Sequence, residues 1–326
     1  IAYPTNTLVR IRHGPHPIDL HVKTYGNPAD PPLLLVNGIG ANKESTPEKT
    51  LYEALAQQQF FVVSFSNRDS GGSTKMEHLR TRSMLATLGF AALAGLALPA
   101  STLALLLLCV RHFHVPAAKK VPAGLMTALA GFKVAGGTNL PKLYRFTPAY
   151  TLNDVAEDII LLMDAMRLTK VHIIGASMGG MLAQTCVINH SDRFLSLASV
   201  MSNTGEFSML GLPDYPLATL FYLYISHPMS RPLATDIKGL IQYEAESIQF
   251  QLGQDKIETA TWNGGLSLLE EAARRHHAHT LHDTVDSRRD ATARQMDSIA
   301  WQSSGRKALL NTIQIPTIVI HGMGDK

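Results

Sequence analysis

The stretch "KVHIIGASMGGMLAQTCVI", residues 170–188, sets an apolar run, a glycine-rich turn and a helix-forming run end to end. "VHIIG" reads as a buried strand and residues 178–190 as a helix, with Gly175-Ala176-Ser177-Met178-Gly179 between them. A Gly-x-Ser-x-Gly turn in that setting is so tight that only small residues fit around the serine. It projects the Ser177 hydroxyl above the sheet as a candidate nucleophile. The N–H of Met178, at the positive end of the helix, then points where an oxyanion would form. The plainer alternative is a glycine-rich turn that only packs closely.

The flanking sequence sets this turn in an α/β frame. "TLVRIRHG" and "IDLHVKTYG", separated by "PHP" and closed by "NPADPP", predict two antiparallel strands at the edge of a sheet. "LLLVN" (33–37) and "FFVVSFS" (60–66) are short apolar runs on either side of a helical stretch around residues 49–58, which is a parallel βαβ unit. In "TLNDVAEDIILLMDAMRL", Thr151 or Asn153 can cap a helix whose apolar positions Val155, Ile159, Leu162 and Met166 recur at helical spacing. Strand "LSLASVM", a long helical region from about Tyr215 to Arg306 and a last strand "TIVIHG" (317–322) complete the series.

Two interruptions divide this α/β chain. The expected organisation is an N-terminal half of the core at 1–76, an apolar helical insertion at 77–150, the core with the serine turn at 151–204, a helical cap at 205–304, and the last strand at 305–326. A chain of 326 residues with 45% hydrophobic content buries an ample core. Net charge is only +3, with no basic block interleaved with aromatics, which argues against nucleic acid. Cys109 and Cys186 lie in different apolar stretches and read as small core residues of a reducing compartment.

The blocks "LLLVNGIGAN", "FFVVSFSNRDSGGSTK", "YTLNDVAEDIILLMDAMRLTKVHIIGASMGGMLAQ" and "IPTIVIHGMGDK" resemble α/β-hydrolases of the serine esterase and lipase type, the aclacinomycin methylesterase-like group. The resemblance implies an α/β-hydrolase fold: a mostly parallel sheet flanked by helices, with a helical cap and an added apolar insertion. It makes "NGIGAN" the second oxyanion element, with the backbone N–H of Ile39 as donor between Gly38 and Gly40. It makes Asp325, in "IHGMGDK", the acid of a Ser-His-Asp triad. The histidine base is expected a few tens of residues after the acid, beyond Lys326, so the chain reads as lacking its C-terminal end. His321 resembles the strand-end histidine of the group, which is not the base.

"SNRDSGGST" (66–74) resembles the group's "DNRDxGxS" loop with Ser66 in place of the first aspartate; Asn67, Arg68 and Asp69 read as loop anchors held by arginine–carboxylate pairing. Asp154, Glu157, Asp158 and Asp164 read as the polar face of their helix. "HHAHTLH" (His276, His277, His279 and His282) lacks carboxylate or cysteine partners at ligand spacing and reads as a solvated helix surface, so no metal or other cofactor is expected.

From Met84 to Val110 the sequence carries no charge, and Arg80, Arg82 and Arg111 flank it. Strands on both sides of this stretch must share one sheet, so the number of membrane crossings must be even. Pro99 divides it into two short helices, which either dip into one leaflet or form an apolar cap lining an acyl pocket. The basic flanks suit anionic headgroups. The expectation is a cytoplasmic hydrolase of an apolar carboxylic ester, with peripheral membrane contact through residues 84–110. Acyl transfer or C–C hydrolysis by the same apparatus, and a non-catalytic lipid- or partner-binding protein on the same fold, are the competing readings.

Overall fold

The computed structural model describes residues 6–40, 48–79, 148–204, 239, 291–292, 294–295, 298–299 and 305–321. Asp325, the histidine run at 276–282 and the apolar stretch 84–110 lie outside them. The chain divides into two compact units, one of Ile1–Arg80, Ala149–Phe207 and Pro232–Lys326, the other of Thr81–Pro148 and Ser208–Arg231. All elements below belong to the first.

Strands β1 (Asn6–Arg12), β2 (Ile18–Tyr25), β3 (Pro32–Val36), β4 (Phe61–Phe65), β5 (Val171–Ala176), β6 (Phe194–Val200) and β7 (Thr317–Ile320) form one sheet in the order β1-β2-β4-β3-β5-β6-β7. β1 and β2 are the antiparallel pair at the edge expected from their alternation, and β2 joins β4 antiparallel; all other pairings are parallel. β4 is buried along its whole length and β3 from Leu33 on, as continuous apolar strands covered on two faces must be. Successive side chains of a strand alternate between faces. Leu33, Leu35 and Val62 accordingly share one face, packed under Tyr52, Leu55 and Ala56 of helix α1 (Glu48–Gln57).

Helix α2 (Leu152–Ala165) starts at a capping box: the Asp154 N–H donates to Thr151 Oγ1 at 3.2 Å, and the Thr151 N–H donates to Asp154 Oδ2 at 2.7 Å. Thr151 is therefore the cap, and Val155, Ile159, Leu162 and Met166 are all buried, as their spacing predicts. Helix α3 (Met178–Asn189) packs on α2, β5 and β6 and is buried almost throughout; Cys186, fully buried there, points its Sγ at the Ala156 carbonyl at 3.6 Å. Burial pushes its thiol pKa up, which leaves it a core residue rather than a reactive one. A short helix α4 (Arg306–Leu309) precedes β7.

The chain runs outward from β3 to β4 on one side and from β5 to β6 and β7 on the other, so the strand order reverses between β3 and β5. In open α/β sheets the crevice at such a switch point, beyond the carboxyl ends of the strands, is where ligands bind. The register aligns Phe65, Val36, Gly175, Ser199 and Val319 in one row across β4, β3, β5, β6 and β7. The loops after all five strands therefore leave the sheet at one level, and those after β3 and β5 flank the switch point.

Candidate active site

Ser177 caps the start of α3 with φ 55° and ψ −120°, a left-handed conformation that L-residues rarely adopt. The surrounding glycines make it attainable. A Cβ on Gly175 would fall onto the backbone of Gly179, one on Gly179 onto the Val36 carbonyl, and one on Gly180 2.5 Å from the Ser202 Cβ. Strand, turn and helix thus close more tightly than any side chain would permit, and β3 presses against the turn. The Ser177 side chain is left exposed, without a hydrogen bond among the described residues.

The backbone of the turn is held from β6. Ser177 N–H donates to the Val200 carbonyl at 2.9 Å, and the Ser202 hydroxyl donates to the Ser177 carbonyl at 2.8 Å. Ser202 in turn is fixed on its far side, where its own carbonyl lies 2.6 Å from His321 Nε2. His321 is therefore bound to the backbone that supports the turn. Arg306 of α4 reaches the same region: its Nε donates to Gln184 Oε1 of α3 at 3.0 Å and its Nη2 to the Asn203 carbonyl at 3.2 Å, while burial lowers its pKa to about 10.

The loop after β3 meets the turn at Gly38. A Cβ there would stand 3.3 Å from the Ser177 Cβ and 3.7 Å from its Oγ, so the two loops touch where Gly38 has no side chain. Before it, buried Asn37 donates through Nδ2 to the Phe65 carbonyl at 3.3 Å, accepts from the Tyr52 hydroxyl at 3.1 Å, and its own carbonyl accepts from Asn67 Nδ2 at 3.0 Å. After it, Gly40 takes a left-handed φ of 66° and donates its N–H to Gln295 Oε1 at 2.9 Å. Neither the Ile39 N–H nor the Met178 N–H has a hydrogen-bond partner among the described residues. Met178 follows the exposed serine directly and Ile39 follows Gly38, the residue that touches it.

Behind these loops lies a buried polar network. Asp69, itself at φ 65°, accepts from Arg294 at 2.8 and 2.7 Å, from the Tyr150 hydroxyl at 2.8 Å and from the Met76 N–H at 2.8 Å. Arg68 donates to Asp158 at 2.6 Å and to the Asp154 carbonyl at 3.0 Å, and lies over the Tyr150 ring. The anchoring role read for Asn67, Arg68 and Asp69 is what their contacts show. Asp158 departs from its reading as part of a polar helix face. It is 1% exposed and pairs with Arg68, with Arg12 at 3.5 Å on its other side. Burial pushes its carboxyl pKa up, against the downward pull of the Arg68 and Arg12 charges. Burial, reinforced by the Asp69 carboxylate, likewise carries the Tyr150 hydroxyl well above the usual phenol range.

Tyr150, Arg294 and Gln295 are the members that sequence reasoning did not find, since nothing in "AYTLND" or "ATARQMDS" distinguishes them locally. Among the described residues no three His, Cys, Asp or Glu side chains group as metal ligands would, and no helix is long and apolar enough to cross a membrane.

A family model described as the alpha/beta hydrolase fold matches residues 31–326. A protein named carbamate hydrolase RutD, from Caulobacter segnis, is 39% identical over 51 residues, 16% of this chain and 19% of that protein, so the chain matches about a fifth of that relative's length. Among solved structures, 2-hydroxy-6-oxo-6-phenylhexa-2,4-dienoate hydrolase from Rhodococcus sp. strain RHA1 aligns with a TM-score of 0.51 at 18% identity, covering 98% of this chain and 82% of that one. A hydrolase from Pseudomonas aeruginosa aligns with a TM-score of 0.51 at 15% identity, over 97% and 80% of the two chains. At these identities the structural likeness shows the fold.

Proposed function

The chain belongs to the alpha/beta hydrolase fold family, and from that membership we propose that it is a serine hydrolase cleaving a carboxylic ester with Ser177 as nucleophile. The observation that carries the reading is Ser177 itself: an exposed hydroxyl held at φ 55° on a strand-to-helix turn, next to Gly38 of the loop after β3 and without a hydrogen bond among the described residues. A turn that only needed to pack closely would have no use for a strained, unbonded serine at its tip, since glycine would take the same backbone with less strain.

In this reading Ser177 Oγ attacks the ester carbonyl while a histidine, which the family resemblance puts downstream of the acid, takes the hydroxyl proton. The carbonyl oxygen becomes an oxyanion and receives the N–H groups of Ile39 and Met178. Collapse of that intermediate breaks the C–O bond and the histidine returns the proton to the leaving alcohol. Water, activated by the same histidine, then releases the acid from the acyl-serine. Asp325 orients the histidine. Preference for an apolar acyl group rests on the uncharged stretch from Met84 to Val110, which also supports contact with a membrane surface.

The test is labelling with a fluorophosphonate probe, whose phosphorus an activated serine attacks with loss of fluoride to leave a phosphonylated serine. Labelling of the full-length protein, with the residues that follow Lys326, and none of its Ser177→Ala variant is the expected result. Equal labelling of both, or of neither, would sink the proposal.

A further inference from the structure

We propose that Gln295 is a positioning residue for this reaction, acting through Gly40 to hold the Ile39 N–H as the second oxyanion donor. The proposal rests on the reading of Ser177 as the nucleophile. A loop such as Asn37-Gly38-Ile39-Gly40 offers several backbone N–H groups at the mouth of the switch point, and nothing in its sequence says which one stays free for substrate. Gln295 removes one of them and fixes the bend that follows Ile39. Its Oε1 accepts the Gly40 N–H at 2.9 Å, so that donor is consumed, while the Ile39 N–H has no partner among the described residues.

The side chain can do this because its other end is anchored. Nε2 donates to the Arg68 carbonyl at 3.0 Å and to Ser70 Oγ at 2.9 Å, and the residue is 2% exposed. With both amide hydrogens engaged, the orientation of the amide follows: Oε1 must be the atom turned to Gly40. Arg294, the preceding residue, is locked to Asp69, so the helical backbone that carries Gln295 is fixed independently of the loop it grips. Gly40 responds with φ 66°, a conformation that bends the chain back immediately after Ile39. A chain of two side-chain clamps therefore runs from the "NRDS" loop through residues 294 and 295 to the loop beside Ser177.

Gln295→Met keeps the volume and removes the acceptor, whereas Gln295→Glu keeps an oxygen for Gly40 and gives up the amide donor. With p-nitrophenyl butyrate and the full chain, the expected outcome for Gln295→Met is a kcat lower by about 10- to 100-fold, below the 10²–10³ lost with a whole oxyanion donor. KM should stay within about twofold of the unmodified value, because the donor acts on the transition state. Binding of a trifluoromethyl ketone, which forms a tetrahedral adduct on the serine, should weaken by the same factor as kcat/KM. Gln295→Glu should recover most of the loss. A merely structural glutamine predicts the opposite order, with the glutamate at least as impaired as the methionine and no kcat-against-KM split.

Unchanged kcat in a folded Gln295→Met, with the unmodified chain active and Ser177→Ala inactive, overturns the positioning role and leaves the hydrolase reading standing. An unmodified chain that neither turns over ester nor labels removes both together. Should both glutamine variants fail to fold, amide hydrogen exchange in the unmodified protein decides: Gly40 protected and Ile39 exchanging freely is expected, and Gly40 exchanging as fast as Ile39 overturns the proposal.

Discussion

Arg294 grips both carboxylate oxygens of Asp69, Nε to Oδ2 at 2.8 Å and Nη2 to Oδ1 at 2.7 Å, across a separation of 225 positions in the chain and with both side chains buried. A bidentate arginine–carboxylate pair fixes angle as well as distance. It therefore sets the helical stretch of residue 294 rigidly on the loop after β4, which stands beside the switch point.

Breaking that pair from one side strands the other charge away from water. Asp69→Ala and Arg294→Ala should each cost about 3–5 kcal/mol, while Asp69→Ala in an Arg294→Met background should cost much less than the two single losses added together. Urea denaturation midpoints of the single and double variants measure this. Additive losses would mean that the two side chains stabilise the fold independently.

Tyr150 makes the same network sensitive to alkali. Its hydroxyl donates to Asp69 Oδ2, and burial together with that carboxylate raises its pKa in the folded state above the usual 10.0. Below about pH 10 the phenol is protonated in folded and unfolded chains alike, so its contribution is fully present. As pH rises past that point the unfolded chain releases the proton and the folded one retains it, and stability falls. The urea midpoint followed from pH 8 to 11 should therefore decline less steeply in Tyr150→Phe than in the unmodified protein. Equal slopes would show that Tyr150 titrates normally.

The contrast between the turn and this network shows what a sequence makes legible. Gly175 to Gly179, the helix start at Thr151 or Asn153, and the edge hairpin are local patterns whose partners lie within a few residues, so spacing and residue type were enough to predict them, though only the structure chose Thr151 and paired it with Asp154. The contacts of Gly40 with Gln295 and of Asp69 with Arg294 span more than 220 residues and leave no periodic trace. Asp158 shows the same difficulty on one helix. A carboxylate facing water and one facing a buried guanidinium occupy the same kind of position in a helical pattern, and only the approach of Arg68 from 90 residues away separates them. Asp325 and the apolar stretch 84–110 were read from sequence and lie outside the described residues, so they stand as proposals.

Gly179 tests the tightness of the turn. A Cβ there would lie 2.6 Å from the Val36 carbonyl carbon and 2.8 Å from the Asn37 oxygen, and both obstacles are backbone that cannot swing aside. Gly179→Ala should be destabilised by about 1–3 kcal/mol as β3 and the turn are forced apart, and its fluorophosphonate labelling should be slowed. Gly305→Ala is the matched control: it has right-handed backbone angles and nothing within 4 Å of the added methyl, so its stability should stay within about 0.5 kcal/mol. Equal stability of the two variants would show that the β3 contact yields easily.

Ser177 itself should behave as a residue kept at the expense of stability. A non-glycine side chain at φ 55°, ψ −120° costs about 1–3 kcal/mol, and its hydroxyl returns no hydrogen bond among the described residues. Ser177→Ala removes the hydroxyl but retains the Cβ that causes the strain, so its stability should match that of the unmodified protein. Ser177→Gly removes the strain and gives back about 0.4–1 kcal/mol through the added freedom of the unfolded chain. The glycine variant should thus be the more stable by about 1 kcal/mol, or about 2 °C in Tm for a chain of this size, while neither variant labels. A glycine variant no more stable than the alanine one would mean that the neighbouring loops impose the turn without strain, and the argument from strain to function would lose its force.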